Sequence, residues 1–161
     1  MTQPTMTQPT RTQRYLEDLS PGERFTAGPL ELSEADTVGF AERYDPQPMH
    51  IDSAAAARGP FQGLIASGWQ TAAIVMRLII EAKPFGGAPV LGLGVDELRW
   101  PAPVRPGDRV TAEMEVVSTT PSRSNPGFGV VRARITARNQ NGEIVLSMFP
   151  SLWVPRRPAS H

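Results

Sequence analysis

From residue 89 onward, apolar and polar positions alternate with a period of two. Leu91, Leu93 and Val95 alternate with Gly92, Gly94 and Asp96. Val110, Ala112, Met114 and Val116 alternate with Thr111, Glu113 and Glu115. Val131, Ala133, Ile135 and Ala137 alternate with Arg132, Arg134, Thr136 and Arg138. Successive side chains of a strand point to opposite faces, so each segment predicts a strand with one buried and one wet face. The segment 118–128 joins the second and third of these strands, and Asn141-Gly142 is a hairpin signal leading to a last strand over about 143–154. Glu113 and Glu115 on one wet face complement Arg132 and Arg134 on another, as neighbouring strands favour.

The first half has a different period. Residues 23–32 read as a short strand anchored by Phe25 and Leu30. Ser33-Glu34-Ala35-Asp36 has the form of a capping box, with Asp in the place usually taken by Glu or Gln. The helix it opens carries Val38, Phe40, Ala41 and Tyr44 and must stop by Asp45, because Pro46 follows. Asp52-Ser53 starts a short alanine helix over 54–58, which Gly59-Pro60 ends. The most hydrophobic element runs from Ser67 to about Lys83. At about 100° per residue only Gln70, Arg77 and Glu81 share a polar stripe, so this helix is expected to be buried nearly all round. A sheet with one apolar face needs a cover, and this helix is the candidate. The fold class is therefore α+β.

Length and composition narrow the function. The chain has 161 residues, enough for one domain. Sixteen Lys and Arg balance sixteen Asp and Glu, so no overall field favours nucleic acid or an anionic membrane as partner. Cysteine is absent, which excludes disulfides and thiolate chemistry and is compatible with a cytoplasmic location. The apolar run 72–80, broken by Arg77, is too short to span a bilayer. The N-terminus repeats Met-Thr-Gln-Pro-Thr in tandem, and residues 1–14 are expected to be disordered. One domain then covers 15–155, followed by a loose tail, 156–161.

The candidate chemistry lies in Asp45-Pro46-Gln47-Pro48-Met49-His50. His50 is the one histidine in the body of the chain, and the other, His161, is the last residue. Two prolines between Asp45 and His50 predict a stiff loop rather than a regular helix. A carboxylate and an imidazole on such a loop suit acid–base work. The alternative is a surface turn in which the aspartate only caps a helix. Asp52, two residues after His50, reads as a helix cap, since one histidine and loose carboxylates make a poor metal site. No metal is expected.

These residues resemble the MaoC-like acyl dehydratases, which include R-specific enoyl-CoA hydratases and have the hotdog fold, an antiparallel sheet wrapped around a long central helix. The family motif Asp-x-Asn-Pro-x-His is matched by Asp45 to His50 with one change. Leu64-Ile65-Ala66-Ser67-Gly68 places a glycine eighteen residues after the histidine, at the start of the central helix. The stretch from Arg99 to Asp108, with its Pro106-Gly107-Asp108 turn, is also family-like. The resemblance covers residues 15–155. It implies hydration of a trans-2-enoyl thioester to the (R)-3-hydroxyacyl thioester, with Asp45 and His50 as the acid–base pair and the Gly68 amide as oxyanion donor. Gln47, Ile65, Ser67 and Trp69 are the implied substrate-binding positions. Coenzyme A or an acyl carrier protein enters as part of the substrate, with no separate cofactor, and the assembly implied is a homodimer or a larger homo-oligomer built from dimers. Two positions depart from the pattern. Gln47 stands for the family asparagine, and Ser67 for a histidine that often precedes the helix glycine. Ser67 is also the natural N-cap of that helix. A thioesterase of the same fold and a non-catalytic acyl-binding subunit are the alternatives.

Overall fold

A computed structural model of the chain describes residues 13–160. The alternating segments form β2 (Leu91–Arg99), β3 (Arg109–Pro121), β4 (Phe128–Arg138) and β5 (Ile144–Pro155), preceded by β1 (Arg24–Glu31). All pairings are antiparallel, in the order β1-β3-β4-β5-β2. The apolar sets of β3 and β4 are buried, from Val110 to Val116 and from Val131 to Ala137. The long helix α4 (Gly68–Ala82) packs on β1, β3 and β5, directing Val75, Leu78 and Ile79 into this core. Burying one such side chain contributes about 1.5–3 kcal/mol, so this layer carries much of the stability.

The wet faces pair only partly as expected. Glu115 stands opposite Arg134 in register and lies 4.0 Å from its guanidinium, with Arg24 closer at 3.3 Å. Arg132 reaches instead to Asp96 of β2, at 2.7 Å. Glu113 faces Thr136 and meets Arg24.

Two expectations about burial fail for one reason. Leu91, Leu93 and Val95 were expected on an inner face, yet they are 63%, 52% and 49% exposed. β2 is an edge strand, and among the described residues nothing covers either of its faces at those positions. The helix α4 is likewise not buried all round, since Trp69, Met76 and Ile80 are exposed. One sheet covers only one side of a helix, and the opposite side needs another layer. The polar stripe also divides: Arg77 and Glu81 pair in solvent, whereas Gln70 is buried and donates from Nε2 to the Asp36 carbonyl at 2.8 Å.

The front half is built from short helices. In α1 (Glu34–Tyr44) the Ser33 hydroxyl oxygen accepts from the Asp36 amide at 3.0 Å. The return arm of a capping box is replaced by a contact of the Ser33 hydroxyl with the Asp36 carboxylate at 2.7 Å. α2 is a single turn, Pro48–Ile51, and α3 spans Ser53–Arg58 with Asp52 accepting from the Ala55 amide at 2.9 Å. Among the described residues no helix is long and apolar enough to cross a membrane.

Both ends of the described segment are tied down by arginines. Arg14 bonds the Pro84 carbonyl and pairs with Glu23, although it falls in the stretch expected to be disordered. The rest of that stretch, residues 1–12, lies outside the described residues, as does His161. Arg156 pairs with Glu17, and Arg157 with Asp18, so the start of the expected loose tail is tied down.

Candidate active site

α1 ends at Asp45 because the residue before a proline is driven out of the helical region. Asp45 takes φ −153° and ψ 67°, with its amide still bonded to the Ala41 carbonyl. Three residues on, Pro48 occupies the first position of α2, where its missing N–H costs nothing. The segment is therefore not a plain loop. The second proline starts a helical turn rather than forbidding one, and that turn carries His50 into the interior, 3% exposed.

His50 Nδ1 lies 2.7 Å from the carbonyl oxygen of Ile65. A carbonyl only accepts, so Nδ1 carries the proton. In the neutral ring Nε2 is then a bare acceptor, and it lies 3.4 Å from Asp45 Oδ2. That carboxylate accepts from the Ser67 hydroxyl through Oδ2 at 2.7 Å and from Gln47 Nε2 through Oδ1 at 2.8 Å. The Ser67 hydroxyl first, and the Gln47 amide second, hold the Asp45 carboxyl below the usual carboxylate range; partial burial opposes them and His50 adds a smaller pull. The pair thus sets an ionised carboxylate beside an imidazole whose Nε2 is free to accept a proton.

The loop between α3 and α4 is held on both sides. The Ile65 amide donates to the Met49 carbonyl at 3.2 Å, and the Ala66 amide to the Val104 carbonyl at 2.8 Å. Arg105 donates to the Phe61 carbonyl at 2.7 Å. The loop delivers Ser67 and Gly68 to the start of α4, where amides have no intrahelical partner and the dipole is positive. Gly68 has a definite steric reason to be glycine. A Cβ there would lie 2.8 Å from Cε2 of the Trp100 indole, which packs against the helix start. Trp100 meets Trp69 edge to face, with ring centroids 5.3 Å apart.

Asp45, Gln47, His50, Ile65, Ser67, Gly68 and Trp69 all line one cavity of about 440 Å³. The structure brings the whole set together, but not each by the atom expected. Ile65 presents its backbone carbonyl to the histidine. Ser67 sits at the N-cap position without capping, because its hydroxyl goes to Asp45. The rest of the wall is Met49, Phe61, Ala66, Thr71 and Trp100-Pro101-Ala102-Pro103-Val104, none of them named beforehand as a catalytic or binding residue. The 100–104 segment lies in the family-like stretch from Arg99 to Asp108, whose prolines mark a rigid segment without saying what it faces, and Phe61 and Ala66 lie in the apolar run 60–66 before the helix. Among the described residues no three His, Asp or Glu side chains cluster closely enough to hold a metal ion.

The model of the MaoC like domain matches residues 18–139. The chain belongs to the MaoC-like dehydratase family. It is 34% identical to a 3-hydroxybutyryl-CoA dehydratase of Methylorubrum extorquens over 145 residues, covering 89% of this chain and 85% of that one. The solved MaoC-like dehydratase of Rhodospirillum rubrum is 40% identical, with a TM-score of 0.81 over 90% of this chain and 99% of that one. An R-hydratase of Pseudomonas aeruginosa is 26% identical, with a TM-score of 0.72 over 92% of this chain and 93% of that one. The fold is accordingly the hotdog fold of these neighbours. This MaoC-like chain is similar to named hydratases and dehydratases over nearly all of its described length, and the Asp45–His50 segment and the start of α4 fall within the matched region.

Proposed function

We propose that the chain catalyses the reversible addition of water to a trans-2-enoyl thioester of coenzyme A or an acyl carrier protein, giving the (R)-3-hydroxyacyl thioester. The observation that carries the reading is the facing pair, His50 Nε2 and Asp45 Oδ2, 3.4 Å apart beside the free amide end of α4. A water bridging the two acceptors donates one proton toward each and leaves a lone pair for C3. As the O–C3 bond forms, one water proton passes to His50 Nε2 and the π electrons move toward the thioester oxygen. The Gly68 amide meets that developing charge. The imidazolium, held by the Asp45 carboxylate, then delivers its proton to C2, so one water is added and the pair returns to its starting state. Positioned acid–base groups contribute roughly 10²–10⁴ in rate, and one oxyanion donor about 10²–10³. The R configuration is supported by the motif and by likeness to the R-hydratase.

The apolar walls from Phe61, Trp69 and Trp100 suit an acyl group in a cavity of about 440 Å³. The exposed apolar residues of β2 and α4 support a homodimer as the working unit, because an open edge strand with uncovered hydrophobic side chains is a pairing surface. A cytoplasmic setting goes with the proposal. A thioesterase reading is less well supported, since both Asp45 oxygens already accept hydrogen bonds and the carboxylate is a weakened nucleophile.

The test is a panel of short, long and branched enoyl thioesters, starting with crotonyl-CoA. Bleaching of the enoyl-thioester absorbance by the wild type, lost in Asp45→Asn and His50→Ala, supports hydration. Inertness on the whole panel overturns it. Thiol release from saturated acyl-CoA points to the thioesterase, and thermal stabilisation by acyl-CoA without turnover to a binding subunit.

A further inference from the structure

Ser67 holds the N-cap position of α4, yet its side chain makes no capping bond. A serine there ordinarily accepts from an amide of the first turn. This hydroxyl points the other way and donates to Asp45 Oδ2, the same oxygen that faces His50 Nε2. Ser67 is 0% exposed, so no water competes for the bond. Gln47 occupies the second carboxylate oxygen. With a donor on each oxygen, protonating Asp45 weakens both of those hydrogen bonds, whereas His50 Nε2 has an open lone pair.

We propose that Ser67 is a positioning residue whose hydroxyl fixes the Asp45 carboxylate toward His50 and tempers its basicity, so that the imidazolium releases its proton more readily. Its functional meaning rests on the hydratase reading, but the placement of the proton is measurable without turnover. The lowered pKa of Asp45, with Ser67 as its largest cause, agrees with this. Of the residues that line the cavity, on α2, on α4, in the 61–66 loop and in the 100–104 segment, only Asp45 and His50 titrate. The pair therefore answers to Ser67 and Gln47 rather than to a distant charge. The hydroxyl proton is committed to Asp45, so Ser67 does not donate to substrate.

The experiment follows the His50 ring by NMR titration and the pH profile of kcat/KM in wild type, Ser67→Ala and Ser67→Thr, with thermal melts as the folding control. Removing the hydroxyl leaves a more basic carboxylate that holds the imidazolium more tightly. In Ser67→Ala the His50 midpoint and the acid limb of kcat/KM both rise by about one pH unit. kcat falls roughly tenfold while KM stays within about twofold. Ser67→Thr, which restores a hydroxyl, returns both pH readings toward wild type. A folded Ser67→Ala protein with unmoved midpoint and limb overturns the proposal. So does a rise in KM alone, which makes Ser67 a substrate contact, or a lower melting temperature alone, which makes it a helix cap. If the wild type hydrates no thioester, the hydratase reading fails, and the NMR midpoint still decides the role of Ser67.

Discussion

The backbone carbonyl of Ile65 accepts from Nδ1 of His50 at 2.7 Å, so a loop, not another side chain, sets the tautomer of the histidine. The same residue's amide is bonded to Met49, next to His50 in sequence. This reciprocal tie makes the helical turn and the loop one unit, and it aims Nε2 at Asp45 and the cavity.

His50→Ala has two separable effects. It removes the group proposed to carry the proton, so turnover falls by roughly 10²–10⁴. It also leaves the Ile65 carbonyl without its buried partner, which costs about 1–3 kcal/mol. Urea denaturation checks the second effect independently of activity. Asp45→Asn is expected to match the first without the Ile65 penalty.

Gly68→Ala drives a methyl into the Trp100 indole, since the added carbon sits at 2.8 Å from Cε2. The ring has to move, and the cavity wall moves with it. A shift in tryptophan emission and at least a tenfold loss of turnover are expected. In a Trp100→Ala background the extra methyl has space, and the penalty of Gly68→Ala shrinks. A double-mutant cycle measures that coupling; additive effects would refute the contact as the cause.

Stability should depend on Asp45 in acid. Its folded pKa is lowered, chiefly by the Ser67 hydroxyl. A carboxyl depressed on folding stabilises the protein above the unfolded value, about 3.9, and loses that contribution as pH falls through the folded value. Thermal melts of wild type and Asp45→Asn should therefore differ most at neutral pH and converge below about pH 4. A constant gap across that range would mean the carboxylate is not stabilised by its two donors.

The open face of β2 makes a prediction about assembly. Sedimentation should find a species of twice the 17.5 kDa chain. Leu93→Glu places a charge in the uncovered strip beside Leu91 and Val95 and should give monomers with the same far-ultraviolet circular dichroism. A wild-type protein that sediments as a monomer would remove β2 as a pairing surface.

The sequence by itself determined the strands, the long helix and the pair of residues, Asp45 and His50, proposed here for acid–base work. A period of two marks β3 and β4 because each covers a core with one face, the Asn141-Gly142 turn announces β5, and local chemistry places α1 between the Ser33 cap and Pro46. The six-residue motif was legible because its prolines constrain the backbone within reach of both functional groups. Tertiary structure decided the rest. Whether the alternation of β2 is buried depends on which strand lies at the edge, and periodicity carries no information about neighbours. The diversion of Ser67 from cap to carboxylate required Asp45, twenty-two residues earlier, to arrive at the same point in space. Trp100 lies on Gly68 only because two segments distant in the chain close over the helix start. Patterns along a chain record which face of an element is apolar. What that face meets, and which of several possible hydrogen bonds a short polar side chain takes, is settled when the elements pack.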